Sequence, residues 1–207
     1  MFISKMTCRG FCVRALSLLA LASLSPSSML LDRAWSADSA DNFKLMTYNI
    51  RYDNPRDGQD VWANRVDAVV DLIARQDVVG LQEVTAGQLK TLVARVPGFE
   101  FYGVGRDDGR SRGEHAPIGF RKSRFEALEQ GTFWLSTRPT EVGVAGWDAS
   151  LPRTCTWVLL KDRATGGNLW VANTHFDHRG QTARRPQAAA AVQGGVASVR
   201  PLQRQAE

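Results

Sequence analysis

Apolar positions divide the 207-residue chain into stretches of different texture. Residues 15–24 form one almost unbroken apolar block behind Lys5, Arg9 and Arg14. Residues 43–104 alternate short apolar runs with helical stripes, residues 117–174 hold only short runs separated by turns, and neither pattern persists after residue 185. The second stretch predicts a strand over 43–50. Phe43 and Leu45 lie on one face and Met46, Tyr48 and Ile50 on the other, as in an internal strand. Asn54-Pro55 and Asp57-Gly58 mark a loop. Val66, Val69, Val70 and Ile73 repeat with helical spacing, so an amphipathic helix follows. A strand from Val78 then closes on Gln82-Glu83, and strand–helix–strand at this spacing predicts a right-handed parallel unit.

Thr85 and Gln88 read as a capping box, opening a second helix whose core face is Leu89, Leu92, Val93 and Val96 and which stops at Pro97-Gly98. A strand over 99–104 and a polar, glycine-rich loop over 106–114 complete this part. Further short strands are predicted over 118–120, 125–128, 132–135, 154–160 and 169–174, with a hairpin turn at Thr165-Gly166-Gly167-Asn168. Residues 186–207 read as a low-complexity, poorly ordered tail. Cys155, between Thr154 and Thr156, reads as a buried strand residue rather than a nucleophile.

Charge changes this picture mainly at the ends. The formal net charge is +5, from 26 basic and 21 acidic residues. Residues 1–36 carry four basic residues and one acid, and residues 178–207 carry five arginines and one acid, which leaves 17 basic against 19 acidic residues between them. No broad electrostatic footprint for nucleic acid is visible there. Residues 1–36 read as a secretory signal segment: a charged start, a block too short to span a bilayer, a Ser25-Pro26 break and a small-x-small Ala34-Trp35-Ser36 site. The protein is therefore expected to be secreted or periplasmic, without a stable membrane anchor. Only Cys155 lies beyond that segment, so the mature chain has no intrachain disulfide framework. The length suits one domain, taken as residues 37–185.

Candidate chemistry sits where three predicted strands end on polar groups. These are Asn49 after 45–48, Glu83 after 78–82, and the Asn173-Thr174-His175-Phe176-Asp177-His178 run. A carboxylate at the C-terminal edge of a sheet lies where open α/β sheets bind ligands, and a hard divalent cation there needs oxygen donors. Two imidazoles and a carboxylate within four positions could bind zinc, or could orient and protonate a phosphate. His175 and Asp177 share a strand face while His178 points away.

Together these motifs resemble the endonuclease/exonuclease/phosphatase superfamily, metal-dependent phosphoesterases related to pancreatic deoxyribonuclease. The resemblance rests on Met46-Thr47-Tyr48-Asn49-Ile50-Arg51, Gly80-Leu81-Gln82-Glu83-Val84 and the 173–178 run. Gly103-Val104-Gly105-Arg106-Asp107-Asp108-Gly109, Gly131-Thr132-Phe133-Trp134-Leu135-Ser136 and Gly146-Trp147-Asp148-Ala149 with Pro152-Arg153 look like a secreted bacterial branch. It covers residues 43–185 and implies a four-layer α/β sandwich of two packed mixed sheets flanked by helices. It implies Glu83 as a ligand of Mg²⁺ or Mn²⁺, with Asn49 placing that ligand or the phosphate, and His175 as a catalytic residue at the scissile phosphate. Arg153, Asn173 and Asp177 are expected to bind substrate, Arg153 because its fork matches phosphate oxygens.

The implied substrate is a phosphate ester: nucleic acid, phospholipid or a small ester. Nothing in the sequence points to a protein partner. The resemblance also calls for a Gly-Asp-x-Asn segment and a late Ser-Asp-His, and neither occurs. The expectation is a C-terminally truncated domain with an unpaired sheet edge and impaired hydrolysis. The competing readings are a non-catalytic remnant and a module that binds a phosphorylated ligand.

Overall fold

A computed structural model describes residues 2–6 and 42–203, with side chains over 42–194. The apolar block at 15–24, Cys8, Cys12 and the 34–36 site all lie outside the described residues. Two four-stranded sheets pack face to face. The first has the order β2 (Leu45–Asn49), β3 (Val78–Gln82), β5 (Ile118–Arg121), β4 (Phe99–Tyr102); the second has β1 (Phe2–Met6), β8 (Asn168–Thr174), β7 (Thr154–Asp162), β6 (Phe125–Trp134). β2 and β3 run parallel through helix α1 (Trp62–Ala74), while β5 is antiparallel to both its neighbours. The second sheet is antiparallel throughout, where both sheets were expected to be mixed.

Strand periodicity sorts the core into layers. Val79 and Leu81 face Val69 and Ile73 of α1 and Leu92 of α2 (Ala86–Arg95). Val78, on the opposite face, joins Ile118 and Phe120 against Val158, Leu160, Leu169 and Val171 of the other sheet. Behind that sheet, Cys155, Leu159, Trp170 and Ala172 pack on Ala191 of α3 (Arg184–Gln203). The layers are helix, sheet, sheet, helix, so the four-layer α/β sandwich holds. Cys155 is fully buried, and burial pushes its thiol up to about 12, so it is an inert core residue.

Four expectations need correction. Among the described residues β2 is an edge strand of its sheet, and Leu45 is exposed. Val93 is 52% exposed, so the α2 stripe narrows to Leu89, Leu92 and Val96. The 125–128 and 132–135 segments are one long strand, β6, with a bulge between Ala127 and Glu129. The segment expected to be irregular from 186 is helical: Pro186 sits in the first turn of α3, where its missing N–H costs nothing, and Gln187 and Ala191 are fully buried. Gly194 on the same helix lies where a Cβ would meet the Phe133 ring at 2.4 Å, so only glycine permits that approach.

Along one edge β8 pairs antiparallel with Phe2–Met6, from Phe2 opposite Ala172 to Met6 opposite Asn168. Among the described residues no helix is long and apolar enough to cross a membrane.

Candidate active site

The parallel pairing of β2 and β3 puts their C-terminal ends at one edge of the first sheet. A pair of buried amides brings the end of β8 to the same place. Gln82 Nε2 donates to Asn173 Oδ1 at 2.7 Å, and Asn173 Nδ2 donates to the carbonyls of Leu81 and Pro117. Antiparallel pairing adds the start of β7, and with it Arg153, and the 103–117 loop between β4 and β5 closes the rim.

Glu83 follows β3 in a left-handed backbone conformation, φ 60°, and Arg51 follows β2 in the same one, φ 59°. For residues other than glycine such strain persists only where the surroundings enforce it, and it gathers at functional sites. Asn49 Nδ2 donates to Glu83 Oε1 at 2.8 Å and the Tyr52 N–H donates to Oε2 at 3.3 Å. Asn49 Oδ1 accepts from the Arg51 N–H. The carboxylate thus points out of the sheet end between two donors.

Arg153 is the hub of the other half. Its side chain is 3% exposed. Nε donates to Asp177 Oδ2 at 3.3 Å, Nη1 to His175 Nδ1 at 3.3 Å and Nη2 to His178 Nδ1 at 3.1 Å. A guanidinium cannot accept, so both imidazoles receive on Nδ1 and carry their proton on Nε2. Burial and then the Arg153 charge push His175 below the ordinary imidazole value, and it is neutral at pH 7. Glu114 Oε2 lies 3.9 Å from His175 Nδ1, but a neutral ring makes this no ion pair; Glu114 is held instead by Arg106 Nη1 at 2.7 Å. Trp134 Nε1 donates to the Arg106 carbonyl and fixes that loop against β6. Arg106, Glu114, Pro152, Arg153 and His175 line an open cleft.

Glu83 and Asn49 thus lie together at the end of the first sheet, and Arg153 and His175 lie together in the cleft. Asn173 does not face a substrate: it is fully buried, and its amide is used in joining the sheets. Asp177 is buried as well. Its oxygens accept from Ser150 Oγ, Arg153 Nε and the N–H groups of Arg179 and Gly180, so it orients Arg153 instead of binding substrate. Burial would raise its pKa, but the Gly180 and Arg179 N–H groups and Arg153 outweigh that and hold it well below the usual carboxylate range. Arg106 and Glu114 were missed. They lie in a loop whose sequence signals only flexibility, and only the closure of β4 on β5 brings them to His175.

The profile of the Endonuclease/Exonuclease/phosphatase family matches residues 46–198, which hold every side chain of the cleft. The chain belongs to this family. The endonuclease/exonuclease/phosphatase from Bacteroides vulgatus is 44% identical, with a TM-score of 0.71 over 73% of this chain and 59% of that one. The mannosyl-6-phosphatase of Bacteroides thetaiotaomicron is 36% identical, with a TM-score of 0.74 over 77% and 61%. At 21% identity and a TM-score of 0.56, over 73% of this chain and 53% of that one, D. rerio TDP2 complexed with single strand DNA product shares the endonuclease/exonuclease/phosphatase fold. The chain spans about three fifths of the length of the two Bacteroides structures. No curated protein sequence matches it. Family members are phosphoesterases, generally dependent on a divalent metal.

The site's donors accommodate such a metal only in part. Among the described residues no three His, Cys, Asp or Glu side chains are grouped to hold one. Glu83 offers one carboxylate, while Asn49, expected as a second ligand, gives its Nδ2 to Glu83 and its Oδ1 to the Arg51 N–H and so holds that carboxylate in place. That suits Mg²⁺ or Mn²⁺, which keeps waters and shares substrate phosphate oxygens, rather than a closed zinc site.

Proposed function

We propose that the chain is a secreted phosphoesterase that binds a phosphate ester between Arg153, His175 and Glu83. The observation that supports this best is the buried Arg153 fork, which leaves His175 neutral with Nε2–H as a donor toward the cleft. A fixed donor costs no reorganisation when charge develops on a phosphoryl oxygen. Glu83, held by Asn49, would bind Mg²⁺ or Mn²⁺, which when bound neutralises charge on the phosphate. The 36% identity to a mannosyl-6-phosphatase favours a small sugar phosphate over nucleic acid or lipid. Manganese binding tests the metal half. The 207-residue protein should bind Mn²⁺ weakly, and Glu83→Gln should abolish the binding seen by calorimetry. Equal binding in that variant would move the metal away from β3.

A second reading, ligand binding without turnover, is favoured by one further observation. Each carboxylate at the site is already held: Glu83 by Asn49 and Tyr52, Glu114 by Arg106, and Asp177 by four donors.

Export is part of the same reading. Cleavage between Ser25 and Asp41 would remove β1 and leave the β8 edge for another strand. Mass spectrometry of the protein expressed in a bacterial host should show a mature species outside the cytoplasm starting in that range. A cytoplasmic species with intact Met1 would reject export.

A further inference from the structure

We infer that Gln88 is a positioning residue for Glu83, acting across the turn at 50–52 and separably from its role in capping α2. The inference rests on Glu83 as the metal-side carboxylate. Gln88 lies in the first turn of α2 and is fully buried. The two ends of its amide go to different places. Oε1 accepts from the Thr85 N–H at 3.0 Å, which is the capping-box half. Nε2 donates to the Arg51 carbonyl at 2.9 Å. Both partners are backbone groups of fixed character, a donor and an acceptor, so the orientation of the amide is determined.

The Arg51 carbonyl matters because it shares a peptide unit with the Tyr52 N–H. Arg51 is in the left-handed region, and that N–H is one of the two donors on the Glu83 carboxylate. Arg65 Nη2 donates to the same carbonyl at 3.3 Å, while the Arg51 side chain is tied to Asp57 by Nε and Nη2, both at 3.0 Å. Gln88 is the shorter and the buried one of the two donors on that oxygen. A closed ring results. Glu83 runs through Val84 and Thr85 into α2, Gln88 reaches back to Arg51, and Tyr52 returns to Glu83. The strained conformations at Arg51 and Glu83 lie inside this ring, and strain of this kind needs such support. Groups that orient a metal-side carboxylate typically change metal affinity when lost, although they do not touch the metal.

Gln88→Glu separates the two roles. Glutamate is a normal capping-box residue at this position and keeps the acceptor for Thr85 N–H, but in its ionised form it has no proton to donate to the Arg51 carbonyl. Thr85→Ala does the reverse: it removes the hydroxyl half of the cap and leaves the Gln88–Arg51 bond. The 207-residue protein and both variants would be compared by hydrogen exchange of the Tyr52 amide, by Mn²⁺ binding followed with electron paramagnetic resonance, and by thermal unfolding. Gln88→Glu should speed Tyr52 exchange and weaken Mn²⁺ binding by about tenfold while α2 stays protected. Thr85→Ala should lower the unfolding temperature and leave Tyr52 exchange unchanged. Wild-type Tyr52 exchange in Gln88→Glu, or the same acceleration in Thr85→Ala, would overturn the inference. If Glu83→Gln binds Mn²⁺ like the wild type, the metal reading fails instead, and Tyr52 exchange, which needs no metal, still decides the role of Gln88.

Discussion

Replacing Arg153 by leucine should cost about 3–5 kcal/mol of folding stability at pH 7, the usual result of stripping one partner from a buried ion pair. The Arg153 and Asp177 side chains are 3% and 0% exposed, so water cannot replace the lost guanidinium. Two imidazole Nδ1 atoms lose their donor in the same step. The pH dependence identifies the cause. The Asp177 pKa is depressed in the folded state, so its contribution is present above the unfolded value of about 3.9 and is lost as pH falls through the folded value. Removing Arg153 brings the folded value back up. The difference between variant and wild type should therefore be largest at neutral pH and shrink below pH of about 4, as the variant's Asp177 becomes protonated. Urea unfolding at pH 7 and at a pH of about 3 checks this. A loss under about 1 kcal/mol at pH 7, the level of an exposed pair, or an equal loss at both pH values, would show that Arg153 does not hold a buried charge.

How much of this was legible in the sequence depended on how local each cause was. The α1 stripe, the Thr85–Gln88 cap and the strand closing on Glu83 follow from spacing within one element, and the structure has all three. The place of β2 in its sheet was not legible. Two apolar faces suit an internal strand, but strand order is set by which edges meet across the whole fold. Asn173 shows a different limit. Its position beside His175 suggested chemistry, but at the end of β8 it faces the other sheet and its neighbour there is Gln82, 91 positions earlier. Arg106, quoted in the 103–109 run, and Glu114 were not assigned to the site for the complementary reason: polar loop residues become site residues only through closure of β4 on β5. α3 lacks an amphipathic stripe because small alanines face Trp170 and Leu159, and a helix that packs through alanine and glycine leaves almost no periodic signal.

The largest expected effect is on turnover. The 207-residue protein should bind a sugar phosphate yet hydrolyse it at least about 10²-fold, and up to about 10⁴-fold, more slowly than the Bacteroides thetaiotaomicron mannosyl-6-phosphatase acting on mannose 6-phosphate; that is the range ascribed to a positioned acid or base. The reason lies in the protonation states and partners at the cleft. An attacking water needs a group able to accept its proton. His175 has its free nitrogen filled by Arg153 and presents only Nε2–H. Glu114 is paired with Arg106, Asp177 has all its neighbours as donors, and Glu83 is shared between Asn49 and Tyr52. Binding should survive, because the donors that meet a phosphate, Arg153 and the His175 Nε2–H, do not depend on a base. Side-by-side phosphate release with Mg²⁺ or Mn²⁺, combined with calorimetry of mannose 6-phosphate binding, separates the two functions. Turnover within tenfold of the relative, abolished by His175→Ala, would mean that one of these held groups is released when substrate binds, and Glu114 would then be the first to test, since its ion pair with Arg106 is partly exposed at the mouth of the cleft.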